Sequence, residues 1–419
     1  MRRKHTAQMI CTLAIANTAL YGLPYMKGQF YDILLDSLNL THTQLSTLFS
    51  IYGAVCMAAY LLGGVLTDCV SLKKLMTAAL IVSGLLHLHA MTIPGYAVLC
   101  VIFGALALTS VFAFYPASMK MLTYLGGEDQ KGTVFGTYIS IINITGTIVV
   151  GIGLLILIQT GENLLVFRVI TGLYGILHFV AAFLLNMLFQ EKNEIKGTKQ
   201  IEWKKLIWIV RNRNVWQVVI MVFCNYLLIA VMTYTIPYLS QVYQMSDTSV
   251  LALSILRVNV ITILISPFAG VIVDKVGSAI RFISATFLCC LGLGAGMLAS
   301  LYVSIPVGLV ALFIILITVV CTAGKSVNMV AVSEIGISET YLGTVIGLVS
   351  FVGYSPDAFF YTMAGRAIDT FGLGGYEMIF ILFLVCSGIG LVSCCIPLKK
   401  IEKGVVQTHQ GNDEQLPVK

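Results

Sequence analysis

Charge is scarce in this chain. Asp, Glu, Lys and Arg make up 11% of its 419 residues, against 58% hydrophobic ones, too few to cover a water-facing surface. That excludes a soluble globular domain. Also missing are a Walker loop, an H-E-x-x-H pair and a C-x-x-C pair, so ATP hydrolysis and zinc or dithiol chemistry have no motif to use. No polar stretch is longer than about 25 residues, which leaves no room for an appended catalytic domain. The chain therefore reads as a non-enzyme with no cofactor and no metal. Its eleven cysteines lie scattered in apolar runs, with adjacent pairs at Cys289-Cys290 and Cys394-Cys395, and read as small apolar residues rather than ligands or disulfide partners. No small-residue cleavage site follows the basic head Met1-Arg2-Arg3-Lys4-His5, so the first apolar run is read as a retained span. Long apolar runs are abundant, and mean hydropathy is +0.93. In lipid the backbone must satisfy its own hydrogen bonds, so runs of about 20 apolar residues imply helices. The fold class is all-α, polytopic membrane protein.

Twelve spans are predicted, over roughly 7–27, 43–66, 75–93, 97–120, 132–157, 166–189, 214–238, 248–272, 280–302, 306–330, 342–364 and 374–397. Thr41-His42-Thr43-Gln44 predicts a capping box at the start of the second. The division is into an N-terminal six-helix bundle (1–190), a linker loop (191–213), a C-terminal six-helix bundle (214–398) and a tail (399–419). Most of the 25 Lys and Arg fall in the termini, the linker and the loops holding Lys73, Lys74, Lys131, Lys275 and Arg281, whereas Arg168 and Arg366 fall in the opposite loops. The positive-inside rule then places both termini in the cytoplasm of a multi-pass inner membrane protein. This bias accounts for the net charge of +6, so nucleic acid is not a partner; lipid and a small solute are, and the chain is read as a monomer.

The halves repeat one another. Tyr21-Gly22-Leu23-Pro24-Tyr25 returns as Tyr234-Thr235-Ile236-Pro237-Tyr238, and Gly132-Thr133-Val134-Phe135-Gly136 as Gly343-Thr344-Val345-Ile346-Gly347. The stretch from Gly64 to Asp68, followed by Lys73 and Lys74, returns as Gly270 to Asp274, followed by Arg281. Parallel repeats of this kind place a solute site between the halves near the bilayer midplane. The paired G-x-x-x-D stretches read as conformational hinge loops: each glycine allows close helix approach, and each aspartate accepts from a neighbouring helix N-terminus and pairs with a basic side chain.

The six-plus-six layout, basic linker and paired G-x-x-x-D loops resemble the major facilitator superfamily over residues 5 to 400. Where that family's loop carries a second glycine, this chain has Ser71, and its basic pair comes one place late. Within the superfamily, Tyr21-x-x-Pro24-x-x-Lys27-x-x-Phe30-Tyr31, Pro116-x-x-x-Lys120, Gly132-x-x-Phe135-Gly136 and Phe351-x-Gly353-Tyr354-x-Pro356 resemble the bacterial YihN-like permeases. A more distant likeness to organophosphate and nitrate/nitrite carriers implies an anion held by basic residues. The arginine those carriers place on the second helix has no counterpart here.

Ionisable groups inside spans are costly unless they face a wet cavity or a partner. Arg257 lies well inside the eighth span and Lys325 about one turn from the inner end of the tenth; each reads as a solute ligand or as half of a structural ion pair. Lys120 closes the fourth span, where it either faces the cavity or snorkels to the interface. Lys27 ends the first, screening anions or anchoring the interface. Asp357 neutralises one of these cations or carries a coupling proton. Tyr21, Tyr25, Tyr234 and Tyr238 flank prolines that kink their helices, as a gate or as an interfacial belt; Asn328 and Tyr354 complete the candidate binding set. His178 reads as a packing residue. The cationic excess points to a secondary active transporter of a small organic anion (sugar acid, sugar phosphate or sulfonate, or carboxylate), working as a proton symporter or an exchanger. A carrier of a neutral sugar or drug-like solute is the alternative, and a transporter-like nutrient sensor a further one.

Overall fold

The computed structural model describes residues 2–126, 131–189, 210–335 and 339–397; the side chains of 2–4, 60–69, 126, 131–133, 135 and 339–344 are outside that description. The expected linker (191–209) and tail (399–419), and the surroundings of Gly64 and Asp68, fall outside it. The described chain is helical throughout, with no strand among the described residues. Nine of its helices are long and apolar enough to cross a membrane, and ten if a bent pair at the N-terminus counts as one. Their outer faces carry large apolar side chains with no protein cover, such as Val101 (70% exposed) and Phe183 (69% exposed), which suits a lipid surround.

Prolines and glycines decide where the helices break. α1 (Arg2–Leu20) turns by 58° into α2 (Gly22–Tyr25) and a 3-10 turn over Met26–Gly28. Pro24 removes an N–H there, and a Cβ on Gly22 would lie 2.6 Å from the Tyr174 ring. The short helix α3 (Tyr31–Leu38) follows, then α4 (His42–Cys69), α5 (Leu72–Met91) and α6 (Tyr96–Ala107). A π-helical stretch, Leu108–Phe114, leads into α7 (Tyr115–Gly126); it holds Phe112, whose carbonyl the ring of Pro116 would otherwise meet. The first half ends with α8 (Lys131–Thr160) and α9 (Asn163–Leu188).

The second half repeats the pattern. α10 (Arg213–Val231) passes through a 3-10 turn into α11 (Thr235–Pro237) and a π stretch at Tyr238–Val242, all within one continuous span. The kink expected at Pro24 is thus present as the 58° bend, whereas around Pro237 the helix changes type without breaking the span. α12 (Asp247–Ile255) continues through a π stretch, Leu256–Val260, into α13 (Ile261–Val276). Then come α14 (Ala279–Ala299), α15 (Val307–Ser333), α16 (Glu339–Gly353), α17 (Pro356–Phe371) and α18 (Leu373–Cys395). The single span expected over 342–364 is thus two helices, parted at Tyr354-Ser355 because Pro356 cannot continue the ladder and opens α17 instead.

The most extensive contact in the molecule joins α4 of the first half to α17 of the second. It depends on two glycines. A Cβ on Gly53 would lie 2.4 Å from the Asp357 backbone, and one on Gly365 the same distance from the His42 carbonyl. Other glycines divide: Gly294 and Gly153 lie against Phe383 and Phe30, whereas Gly292, Gly151 and the hinge glycine Gly270 have nothing within 4 Å of a built Cβ. Gly270 therefore does not mark a close helix approach in this arrangement.

Candidate functional site

The halves are sealed at the end of the bundle that carries residues 28–41. The predicted capping box forms there: Thr41 N donates to Gln44 Oε1 (3.1 Å) and Gln44 N to Thr41 Oγ1 (3.2 Å). The next two amides of α4, His42 N and Thr43 N, donate to the Asp369 carboxylate of α17 at 3.1 and 2.7 Å, an anion at a helix N-terminus. Below this lies a chain of hydrogen bonds whose direction the donor inventory fixes. Gln241 Nε2 donates to His42 Nε2 (3.0 Å), so neutral His42 donates from Nδ1 to the Tyr31 hydroxyl (3.0 Å). Tyr31 reaches Ser46 at 3.4 Å and Ser46 reaches Tyr234 at 2.9 Å. Tyr234 gives its one proton to the Tyr361 carbonyl (2.8 Å). Thr362 N donating to Ser50 Oγ (3.1 Å) and Gln29 Nε2 to Asn259 Oδ1 (2.7 Å) are further bonds between the halves.

Toward the other end the halves part around a cavity of two lobes. The larger, about 440 Å³, is lined by Lys27, Arg257 and Lys325 together with Thr262, Thr322 and other side chains. The smaller, about 240 Å³, is lined by Tyr25, Tyr226, Phe351, Tyr354, Lys325 and Asp357, among others. Tyr25, Tyr226 and Lys325 border both.

Three cations meet here, each differently held. Lys27, 5% exposed, lies 3.9 Å from Asp357 Oδ1, the one ion pair among the described residues. Its ammonium stands 3.7 Å above the Tyr361 ring centre, with Phe49 and Tyr25 each at 5.4 Å, an aromatic cage. Asp357 Oδ2 accepts from the Tyr226 hydroxyl (2.7 Å), while Oδ1 is buried without a hydrogen bond. Arg257 donates to the Met232 carbonyl and to Thr235 Oγ1 (3.0 Å) at the 3-10 turn after α10, and to the Gly28 carbonyl (3.0 Å) after α2. It ties the two spans together across the halves. Lys325 faces the open lobes 6.0 Å from the Tyr226 ring, with no carboxylate within 4.0 Å among the described residues.

The structure thus brings together Lys27, Lys325, Arg257, Tyr25, Tyr354 and Asp357. The others lie elsewhere. Tyr234 and Tyr238 are fully buried, the first in the seal and the second bonded to Ser300 Oγ at 2.7 Å. Half-buried Tyr21 packs on Tyr25, with ring centres 5.6 Å apart. Lys120 is half-buried on α7 and borders neither lobe. Asn328 is buried on α15, away from both. In the first hinge, Lys73 Nζ donates to the carbonyls of Asn186 and Phe189 (2.9 Å each), closing the C-terminus of α9, while Lys74 is exposed. In the second, Gly277 takes a left-handed turn (φ 71°) and Ser278 caps α14 by accepting from Arg281 N at 3.3 Å. Asp274 is exposed and in no ion pair among the described residues. The role expected of it belongs to Glu334, whose carboxylate accepts from Ser278 Oγ (2.8 Å) and from the Ala279 amide.

Tyr226 was legible only as a phenol hydroxyl in mid-span, in Cys224-Asn225-Tyr226, where it needs a partner. Phe351 stood out only as part of the Phe351-x-Gly353-Tyr354-x-Pro356 resemblance, and nothing local marks Phe49 or Tyr361. His178 of α9 and His87 of α5 lie with ring centres 4.6 Å apart and planes tilted by 43°. Each is bound through Nδ1 to the carbonyl one turn back, while Nε2 of each is buried without a hydrogen bond among the described residues.

Comparisons with known proteins agree with this architecture. The family model described as Major Facilitator Superfamily matches residues 9–360. The inner membrane protein YihN of Escherichia coli (strain K12) is 23% identical, over 96% of this chain and 98% of its own. The inner membrane protein YqcE of the same strain is also 23% identical, over 91% and 92%. Among solved structures, the nucleoside transporter NupG superposes with a TM-score of 0.70 at 10% identity, covering 93% of this chain and 97% of that one. A bacterial homologue of the human lysosomal transporter Spinster, inward-facing and unoccupied, gives 0.67 at 11% identity, over 94% and 97%.

Proposed function

The chain belongs to the Major Facilitator Superfamily, whose members transport solutes, and from that premise we propose that it is a secondary carrier of a small organic anion. The reading takes it as twelve spans in two six-helix repeats, with both termini in the cytoplasm of an inner membrane like that named for its relatives. The sealed end then faces outward and the two lobes open inward. Solute binding followed by rocking of the halves gives alternating access. The protein works as a monomer, by proton symport or by exchange.

One observation carries the anionic reading: Lys325 borders both lobes with no carboxylate within 4.0 Å among the described residues. Lys27 is balanced by Asp357, and Arg257 is engaged with carbonyls and a hydroxyl. The cavity therefore keeps a net positive charge that a solute anion neutralises as it leaves water. Sugar acids, sugar phosphates or sulfonates and carboxylates all meet that requirement.

Flux in proteoliposomes tests it. Purified protein should take up at least one member of an organic-anion panel, and Lys325→Ala should slow that uptake at least about tenfold, the loss of one charge-assisted contact. Uptake of neutral or cationic solutes alone, untouched by Lys325→Ala, would refute the anionic reading.

A further inference from the structure

We propose that the two lobes divide the work of recognition: the larger takes the negatively charged group, and the smaller takes a ring or polyhydroxyl body attached to it. The solute is then a two-part organic anion, not an inorganic or short-chain one. This rests on the anionic reading above and deepens it.

Charge is segregated between the lobes. The larger is bordered by three cations, Lys27, Arg257 and Lys325, and by no carboxylate. It also presents the hydroxyls of Thr262 and Thr322, donors suited to an oxyanion. The smaller is lined by Lys325 and Asp357, one charge of each sign, so it offers an anion less net attraction than the larger lobe does. A solute anion held by Lys325, which stands on the boundary, is therefore driven into the larger lobe, and whatever it is attached to extends past Tyr25 and Tyr226. There it meets the faces of Tyr226 and Tyr354, ring centres 4.8 Å apart, with Phe351 beside them. Such surfaces pack against the flat face of a sugar or aromatic ring. Size agrees. An inorganic oxyanion displaces only a few waters of about 30 Å³ each, a small part of lobes of about 440 and 240 Å³.

The test is a thermal-unfolding series on detergent-purified protein, since a ligand that binds the native state stabilises it by mass action. The probes are glucose 6-phosphate, gluconate and 4-hydroxybenzoate, with phosphate, acetate and glucose as fragments. At least one two-part anion should raise the midpoint by about 3 °C or more, with no fragment doing so at the same concentration. Phe351→Leu and Tyr354→Phe should both keep the fold, and Phe351→Leu should at least halve the shift. Lys325→Ala should abolish it. If phosphate or acetate stabilises as well as the two-part anions, the division between lobes is wrong and the anionic reading stands. If glucose matches glucose 6-phosphate in wild type and in Lys325→Ala, or if no anion stabilises the protein, the anionic reading itself falls.

Discussion

Lys27, Arg257 and Lys325 border the larger lobe from a 3-10 turn, a π stretch and a helix, and of the three Lys325 alone makes no hydrogen bond or ion pair among the described residues. Lys27 is neutralised by Asp357 and caged by rings. Arg257 satisfies carbonyls that broken helices leave without a donor. Truncating Arg257 strands those acceptors in the interior, at about 1–3 kcal/mol for each. Arg257→Ala is therefore expected to lower the unliganded unfolding midpoint as well as transport, while Lys325→Ala lowers transport alone; thermal unfolding measured beside flux separates them. The sequence marked each of these cations, because a charge inside an apolar run is visible one residue at a time. It did not pair Lys27 with Asp357, which are 330 positions apart, nor tie Arg257 to Gly28, since those meetings depend on how the halves dock.

Elements show the same boundary between local and non-local information. The capping box before α4 was legible because Thr41 and Gln44 are three residues apart, and the first kink was legible because Pro24 acts on its own helix. The same reasoning overstated Pro237, whose span changes helix type but stays continuous. The glycines of the α4–α17 contact were not. Gly53 and Gly365 look like any others until Asp357 and His42 are found beside them. Gly53→Ala and Gly365→Ala should each cost the sealed arrangement about 1–3 kcal/mol through overpacking. Spin labels on the loops before α4 and after α17 should then report a wider separation than in wild type. A pH effect belongs to this scale too. Asp32 of α3 lies beside Ser240 and Asp247 with Asp36 on its own helix, and Asn163 bridges Asp36 (3.1 Å) to Asp247 (2.9 Å) across the halves. Tyr31 and Tyr376 stand near it as neutral phenols. Burial, opposed by Ser240 and assisted by Asp247, pushes its carboxyl up to about 7 from 3.8. A raised acid pKa means that the sealed state binds a proton which an opened, hydrated Asp32 releases. Sealing should therefore be favoured as pH falls from about 7 toward 4 and disfavoured above, and Asp32→Asn should remove the dependence in the same spin-label distances.

Across the whole molecule, matching segments recur in order along the sequence, but their surroundings in the fold are unequal. The two Tyr-x-x-Pro-Tyr segments differ: the first bends its span by 58° and the second lies within a continuous one, and Tyr25 borders the lobes while Tyr234 and Tyr238 are buried in the packed end. A repeat gives equivalent positions on equivalent helices, not equivalent neighbours, once one end of the bundle closes and the other opens. The hinge loops diverge similarly: Lys73 closes the end of α9 in one half, and Glu334 caps α14 in the other. Coupling is decided at this scale as well. If Asp357 carries a proton with the solute, Asp357→Asn should abolish uphill accumulation in proteoliposomes and spare counterflow. Loss of both would assign Asp357 to binding or to the Lys27 pair.

The central claim is that an uncompensated lysine makes this carrier select anions. Calorimetric titration of purified protein with matched pairs, glucose 6-phosphate against glucose and gluconate against glucose, tests it most directly, in wild type and in Lys325→Gln. The account predicts that at least one anion binds about tenfold or more tightly than its neutral parent, a difference of about 1.4 kcal/mol, and that the difference vanishes in the variant. Neutral parents binding as tightly as their anions, or a preference for anions that survives Lys325→Gln, would contradict it.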